Sequence, residues 1–197
     1  METKIKRLIL IIPLALIMIF CIFSIASGSA DIQIKSFAVD SAERMYVGTE
    51  SRIDVFDQGV HVFSISPQTS RGYMFTITED DTILLSTGTI VYSMELDGKV
   101  IGSWDDKASG VYNNLQKSRS GFISKNNDIY TKKNTFGRTK IVKNDDITVY
   151  EITVFSYIVK LLFYGSSAGM LLLIFNLLSI NRRKQKGQTD GIKSKEV

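Results

Sequence analysis

Two long apolar runs constrain this chain more than any other feature, because each is long enough to form a helix across a bilayer. They occupy residues 8–26 and 161–180, and the residues between them are polar and strand-like. A run of about 20 apolar residues matches the roughly 30 Å of hydrocarbon in a membrane. The sequence therefore predicts transmembrane helices at residues 8–26 and 154–180, with one domain between them at residues 31–150.

Basic residues flank both apolar runs on their outer sides. The first run is preceded by Lys4, Lys6 and Arg7, and the second is followed by Arg182, Arg183, Lys184 and Lys186. Cytoplasmic flanks of membrane helices keep such charges. The pattern predicts an integral plasma-membrane protein, with residues 1–7 and the basic tail at residues 181–197 in the cytoplasm and the central domain outside it.

The first run also has features of a secretory signal peptide. Small residues follow it at positions 26–30, and Gly28 and Ala30 would suit the positions three and one before a cleavage site. The run is longer than the 7–15 residues usual for a signal core, which favours a retained anchor. Both alternatives export the central domain.

The charge balance argues against nucleic acid as a partner. The whole chain carries +4, but residues 31–150 hold 16 acidic and 14 basic residues, a net of −2. The basicity therefore belongs to the membrane flanks. Within the domain, residues 31–106 carry a net −8 and residues 107–150 a net +6, so the basic part could meet an acidic face of the same domain, a second copy, anionic lipid or an anionic wall polymer.

Cys21, the only cysteine, lies in the first run, so the domain has no internal disulfide.

The central domain contains three copies of a strand pattern. The copies begin at Phe37, Phe75 and Phe122, at spacings of 38 and 47 residues. Each copy has three to four short strands, separated by turns rich in Asp, Asn and Gly, which tolerate left-handed backbone. Periods of about 40 to 50 residues are typical of arrays in which one repeat forms one four-stranded sheet.

This pattern resembles the blades of NHL and related six-bladed β-propeller families. The likeness covers about residues 33–150 and includes the strand endings Asp57-Gln58-Gly59 and Asp97-Gly98, whereas Asn144-Asp145-Asp146 lacks the glycine. The resemblance implies a mainly β domain built of antiparallel blade-like repeats, and the basic flanks described above predict that this domain is extracytoplasmic.

Three repeats are too few for a closed ring in one chain, since propellers close with four to eight blades. The outer strands would then expose edges that invite pairing. The repeats could stack as an open or sandwich-like domain, two chains could share one ring, or the domain could be an ordinary antiparallel sandwich.

The second apolar run contains a helix-association motif. Gly165 and Gly169 lie one turn apart on one helix face, which lets another backbone approach closely, and Asn176 could hydrogen-bond a neighbouring helix. These residues predict a homodimer or a membrane-protein partner. The alternative is that the first apolar helix fills the same groove.

Catalytic and metal-binding motifs are absent from the sequence. His61 is the only histidine and lies in a strand pattern, so nucleophile–base–orienter chemistry has no general base of the usual kind beside a nucleophile. Acidic pairs occur at residues 80–81, 105–106 and 145–146. They lack the spacing of a calcium loop, and we interpret them as solvated turn carboxylates.

These observations predict a non-enzymatic, cofactor-free binding or assembly module, anchored in the membrane as an accessory subunit of a larger complex. The alternative is a ligand sensor. Because the cytoplasmic ends are short, such a sensor would have to signal through a membrane partner.

Overall fold

The structure is a computed structural model that describes residues 2–27, 29–31, 33–67, 72–135 and 138–193. The side chains at positions 2–10, 108, 177 and 180–193 lie outside this description. The chain divides into two compact units, one helical (Met1–Ser24 with Ile158–Val197) and one containing all the strands (Ile25–Tyr157).

The helical unit is formed by the two terminal helices, α1 (Glu2–Ala26) and α4 (Val154–Lys193). Among the described residues, one helical segment, Val154–Asn176, is long and apolar enough to cross a membrane, and α1 contributes the shorter apolar stretch Ile11–Ala26. The prediction of two spans is thus supported by length and composition for the second run only.

Among the described residues, the β unit contains three four-stranded antiparallel sheets, which confirms the predicted mainly β domain and is compatible with blade-like repeats. In each sheet the strands pair in chain order. The first sheet consists of β1 (Ser36–Val39), β2 (Met45–Gly48), β3 (Ile53–Asp57) and β4 (Val60–Ile65). The second consists of β5 (Met74–Ile77), β6 (Ile83–Ser86), β7 (Ile90–Met94) and β8 (Val100–Asp105). After the short helices α2 (Asp106–Ser109) and α3 (Val111–Ser118), the third consists of β9 (Gly121–Ile123), β10 (Ile129–Thr135), β11 (Arg138–Lys143) and β12 (Ile147–Glu151).

The first turn of each sheet has the same local structure, which shows that the sequence repeat is also a structural one. The residue that opens the turn accepts a hydrogen bond from the backbone N–H four residues later: Asp40, Thr78 and Ser124 do so in the three sheets. The fourth residue of each turn has a positive φ, at Glu43 (63°), Asp81 (55°) and Asn127 (62°). Short polar side chains suit these positions because they bond to nearby backbone, and Asn and Asp tolerate left-handed angles.

The last turn of the third sheet also keeps the geometry of its counterpart despite its different residues. Gln58 and Gly59 have φ values of 47° and 82°, and Asn144 and Asp145 have 50° and 67°. The third copy therefore keeps the turn geometry although it lacks the glycine, since Asn and Asp also adopt left-handed backbone angles.

The first sheet lies at the centre of the core, and both buried clusters of the described residues include it. One face packs on the second sheet, where the cluster includes Tyr46, Val55, Phe75, Ile83 and Leu85. The opposite face packs on the third sheet, where the cluster includes Val39, Val47, Tyr130, Ile141 and Ile152. The strands of the central sheet therefore bury apolar side chains on both faces.

Helices α2 and α3 contact the other face of the second sheet. The ring of Tyr112 lies about 3.7 Å from the position that a Cβ at Gly88 would occupy. Asp106 at the start of α2 accepts a 2.5 Å hydrogen bond from Ser86 of β6. These helices cover a face that would otherwise expose Val91 and Met74, which are buried.

Candidate functional site

A cavity of about 500 Å³ lies between the first and third sheets, at the end of the sheets where β12 leads into α4. It combines charged and aromatic side chains, including Asp31, Arg52, Asp54, Phe56, His61 and Tyr150. Asp54 comes from β3, Arg52 from the turn between β2 and β3, and Asp31 from the segment before β1. His61 comes from β4 and Tyr150 from β12.

An ion-pair network forms one wall of this cavity. The Arg52 guanidinium donates from Nε to both Asp54 carboxylate oxygens, at 2.8 and 3.0 Å, and from Nη2 to Asp31 at 3.1 Å. Burial raises the pKa of Asp31, an effect that the Arg52 charge opposes, and burial also raises the pKa of the nearby Glu50. The arginine is therefore shared by two carboxylates, which fixes its position.

His61, Ser64 and Asp54 meet at the edge of this network, although the sequence places them in no recognisable motif. Ser64 Oγ donates to Asp54 Oδ1 at 2.6 Å and lies 2.9 Å from His61 Nε2. Because the serine proton is used in the bond to Asp54, His61 Nε2 must donate to Ser64 rather than remove its proton. A catalytic triad needs the opposite arrangement, with the carboxylate on the far nitrogen of the imidazole. The geometry holds the three side chains together without activating the serine.

Aromatic rings also line this cavity. The Phe56 ring centroid lies 5.6 Å from that of His61, in an edge-to-face arrangement, and 5.2 Å from that of Tyr150. Burial raises the pKa of the Tyr150 phenol, so this group is neutral at physiological pH. A cavity with aromatic surface beside fixed charges is suited to bind a ligand that has both apolar and polar parts.

A second cavity, of about 640 Å³, lies between the same two sheets near their first turns. Lys143 lies there, 2.7 Å from Asp128, 3.8 Å from Glu43 and 5.7 Å from the centre of the Tyr130 ring. The hydrogen bond to Asp128 raises the pKa of Lys143 to about 12. Lys143 is thus paired with Asp128 of its own sheet and with Glu43 of the first sheet, so this region acts as a contact between the two sheets.

Comparison with known proteins does not place the chain in a family. No protein-family model matches it, and no curated protein matches it. Among solved structures, it is similar to a protein of unknown function from Bacteroides caccae, with 8% identity and a TM-score of 0.31. It is also similar to selenomethionine-substituted virginiamycin B lyase from Staphylococcus aureus, with 10% identity and a TM-score of 0.31.

These alignments cover 61% and 60% of this chain but only 46% and 40% of the two solved chains. The chain therefore spans less than half the length of either structure. Similarity this weak carries no argument about fold or activity.

The glycines predicted to mediate helix association have different surroundings. A Cβ at Gly169 would lie 3.4 Å from Leu14 of α1, whereas a Cβ at Gly165 would have no atom within 4 Å among the described residues. Asn176 is exposed. Gly169 is thus used in packing between α1 and α4, and association through Gly165 or Asn176 stays a prediction.

The predicted membrane flanks fall in the two terminal helices. Lys4, Lys6 and Arg7 belong to α1, and Arg182, Arg183, Lys184 and Lys186 belong to α4. Their side chains lie outside the described residues, so the predicted orientation stays a prediction.

The interpretation of the acidic pairs as solvated turns is wrong for Asp106. This carboxylate is only 3% exposed and is enclosed by donors from Ser86, Ser109 and the start of α3. Asp81 bonds to Ser41, and Asp145 lies 2.8 Å from Lys133. Within the described part of the chain, no group of three His, Cys, Asp or Glu side chains could hold a metal ion.

Proposed function

We propose that this chain is a membrane-anchored binding module whose β unit lies outside the cytoplasm and recruits a partner within a membrane complex. The observation that carries the proposal is the cavity between the first and third sheets, which offers the Phe56 and Tyr150 rings beside the fixed Arg52 ion pairs. This combination supports recognition of a partner side chain or ligand. It does not supply the proton-transfer geometry that hydrolysis of the serine type requires.

The anchoring part of the proposal depends on both apolar runs. The segment Val154–Asn176 meets the length and composition of a span. For the first run, support comes from its sequence and from its packing against Gly169. A reporter fused at Asn113, an exposed position in α3, should report a non-cytoplasmic location, and the protein should resist carbonate extraction from vesicles.

Recovery of a partner in mild detergent tests the binding role. The full chain should co-purify with a stoichiometric partner, and Phe56→Ala or Tyr150→Ala should reduce recovery about tenfold or more, as expected for aromatic anchors of an interface. Ile101→Ala is a matched control, because this exposed apolar residue lies on the second sheet, away from the cavity. Equal recovery of all four proteins would contradict the proposed site.

A second candidate function is sensing of a ligand by the same cavity. The Asp31 carboxylate pairs with Arg52, and the Asp31 backbone N–H donates to Ser156 Oγ at 2.9 Å. A ligand that displaced Arg52 would therefore act on the segment that follows α1 and on the start of α4. The sensor role requires that Arg52→Gln change the activity of a membrane partner, whereas a passive binding module requires only that it change the partner's affinity.

A further inference from the structure

The β10–β11 hairpin is strongly basic and contains no acidic residue between positions 129 and 143. Lys143 lies at one end of the hairpin and is paired with Asp128. The other basic residues lie in the opposite half of the hairpin, near the end of β10 at Thr135 and the start of β11 at Arg138. They are Lys132, Lys133, Arg138 and Lys140. This half is called the basic hairpin tip below.

Like charges face each other in the basic hairpin tip. Lys133 and Lys140 are direct partners in the strand register, an arrangement that destabilises a sheet. Lys132 lies close to Arg119, and burial together with this second positive charge lowers the pKa of Lys132. The hairpin therefore keeps positive charges together at a cost in stability.

Carboxylates of the β unit compensate only part of this charge. Lys133 lies 2.8 Å from Asp145, and Arg138 lies 3.1 Å from Glu151. No carboxylate among the described residues lies within ion-pair distance of Lys140 or Arg119, although Glu151, which pairs with Arg138, is opposite Lys140 in the strand register. Lys132 donates to the backbone carbonyl of Ile34 at 3.3 Å. An anionic partner would relieve the remaining repulsion.

The position of the basic hairpin tip indicates what kind of anionic partner it would contact. Lys140 of β11 pairs with Glu151, the last residue of β12. Three residues later α4 begins at Val154, where the segment suited to cross a membrane also begins. The carbonyl that Lys132 contacts belongs to the segment that follows α1. The basic charges thus lie at the end of the sheet from which the chain enters its apolar helix.

We propose that the basic hairpin tip binds the phosphate headgroups of anionic phospholipids at the surface of the membrane in which α4 is anchored. This inference rests on the proposed membrane anchoring. Lysine and arginine donate charge-assisted hydrogen bonds to phosphate oxygens, and each such residue near an anionic surface strengthens binding about fivefold. Headgroup binding positions the β unit close to the bilayer.

The test uses the full chain in nanodiscs of phosphatidylcholine alone or mixed equally with phosphatidylglycerol. Amide hydrogen exchange is measured in β10 and β11. Wild-type exchange should be at least about fivefold slower in the anionic discs, since several charges each contribute about that factor. Lys133→Gln combined with Lys140→Gln should abolish the difference and leave exchange in the zwitterionic discs close to the wild-type rate, because the substitutions remove a repulsive pair together with the exposed ion pair between Lys133 and Asp145.

Lys99→Gln combined with Lys125→Gln is the matched control, because it removes the same charge from turns at the opposite end of the sheets. This variant should keep the wild-type response. The inference would be overturned if wild-type exchange were equal in the two kinds of disc. It would also be overturned if both double variants lost the protection by anionic lipid to the same extent. Protection by soluble polyphosphate in zwitterionic discs without protection by the anionic lipid would overturn it as well, and would assign the surface to a soluble or wall polyanion. Loss of the chain from all discs would instead contradict the proposed anchoring.

Discussion

Asp106 shows how a single buried carboxylate organises the connection between the second and third sheets. It accepts hydrogen bonds from Ser86 Oγ (2.5 Å), Ser109 Oγ (2.9 Å), Val111 N (2.7 Å) and Tyr112 N (3.1 Å). Burial alone would raise its pKa, but these donors outweigh burial and hold the pKa below its usual value. In sequence Asp105 and Asp106 look alike. Tertiary structure distinguishes them, above all the contact of Asp106 with Ser86, twenty residues earlier. Sequence reasoning alone could not have found this contact.

Asp106→Asn should destabilise the β unit by about 2 kcal/mol, because it weakens charge-assisted hydrogen bonds and brings an amide group among donors. Asp105→Asn is the control, since Asp105 caps α2 through the Lys107 N–H and Asn caps a helix equally well. Urea unfolding followed by the fluorescence of Trp104, the only tryptophan, measures the free energy of unfolding of both variants. Similar stability of the two variants would contradict the assigned role.

The same carboxylate predicts a pH dependence. Its pKa is lower in the folded protein than the roughly 3.9 of an unfolded aspartate, so its ionised form stabilises the folded state at pH values above the unfolded pKa. This contribution is lost as the pH falls through the folded pKa. The stability difference between wild type and Asp106→Asn should therefore be constant near neutral pH and shrink below about pH 4. A difference that grew on acidification would have the wrong sign.

Two turn glycines of the second sheet should respond differently to alanine. Gly98 has a φ of +92°, and an added Cβ would lie 2.6 Å from Ile65 Cγ2, whereas Gly88 has a φ of +82° and its nearest neighbour would be 3.7 Å away. Both substitutions carry the left-handed penalty of about 1–2 kcal/mol, and only Gly98→Ala adds overpacking of about 1–3 kcal/mol. Urea unfolding of both variants checks the order, and a larger loss for Gly88→Ala would be the contrary result.

At the scale of elements, the fourth strand of each sheet, which is an edge strand, carries a bulge at an equivalent position. The register shifts at Val55/Phe56, Ser93/Met94 and Ile141/Val142, so one residue of β4, β8 and β12 lacks a partner: Val62, Ile101 and Val149. Bulges twist an edge away from regular pairing and reduce edge-to-edge association. The sequence predicted exposed edges but not these bulges, because the residue left without a partner is set by the register with the neighbouring strand, which the strand pattern does not give.

The unequal repeat spacing also has an explanation at this scale. The step from Phe37 to Phe75 is 38 residues and the step from Phe75 to Phe122 is 47. The longer step contains α2 and α3, which cover the second sheet. These helices are short, and the strand repeat gave no place for them, although Val111, Tyr112 and Leu115 lie on one face of α3 at helical spacing and are half-buried. The strands, in contrast, were readable from the turn residues that separate them.

The packing of α1 against α4 predicts different effects for the two glycines of α4. Gly169→Leu should disturb the packing because Leu14 lies 3.4 Å from the added Cβ, and Gly165→Leu should not, because the space there is open among the described residues. Cys21, the only cysteine, is fully buried and reports the change. Maleimide should label it several-fold faster in Gly169→Leu than in wild type, with Gly165→Leu as the matched control. Unchanged labelling in both would show that Leu14 yields without opening the helices.

At the scale of the whole molecule, the order in which the sheets pack was not predictable from the repeats. All three copies carry similar strand patterns, yet the first sheet is central and contacts the other two through opposite faces. Periodicity identifies which residues share a face but not which sheet covers it. The candidate cavity was missed for the same reason, because Tyr150 lies far from Arg52 and His61 in sequence and comes from a different sheet.

The two interfaces of the first sheet should differ in their response to salt. The interface with the second sheet contains the larger apolar cluster and the hydrogen bond from the Ser41 backbone N–H to Asp81, but no ion pair among the described residues. At the interface with the third sheet, Glu43 accepts from Asn126 at 3.1 Å and lies 3.8 Å from Lys143, with which it forms an ion pair. Exposed ion pairs contribute about 0.2–1 kcal/mol and are screened by salt. Raising the salt concentration should therefore speed amide exchange in β10 and β11 by up to about fivefold and leave β6 and β7 unchanged. Glu43→Gln should reproduce this effect at low salt and reduce the further response to salt. Equal acceleration in the second and third sheets would instead mean that the β unit opens as one cooperative unit. The opposite net charges of residues 31–106 and 107–150 would then not contribute to holding the third sheet.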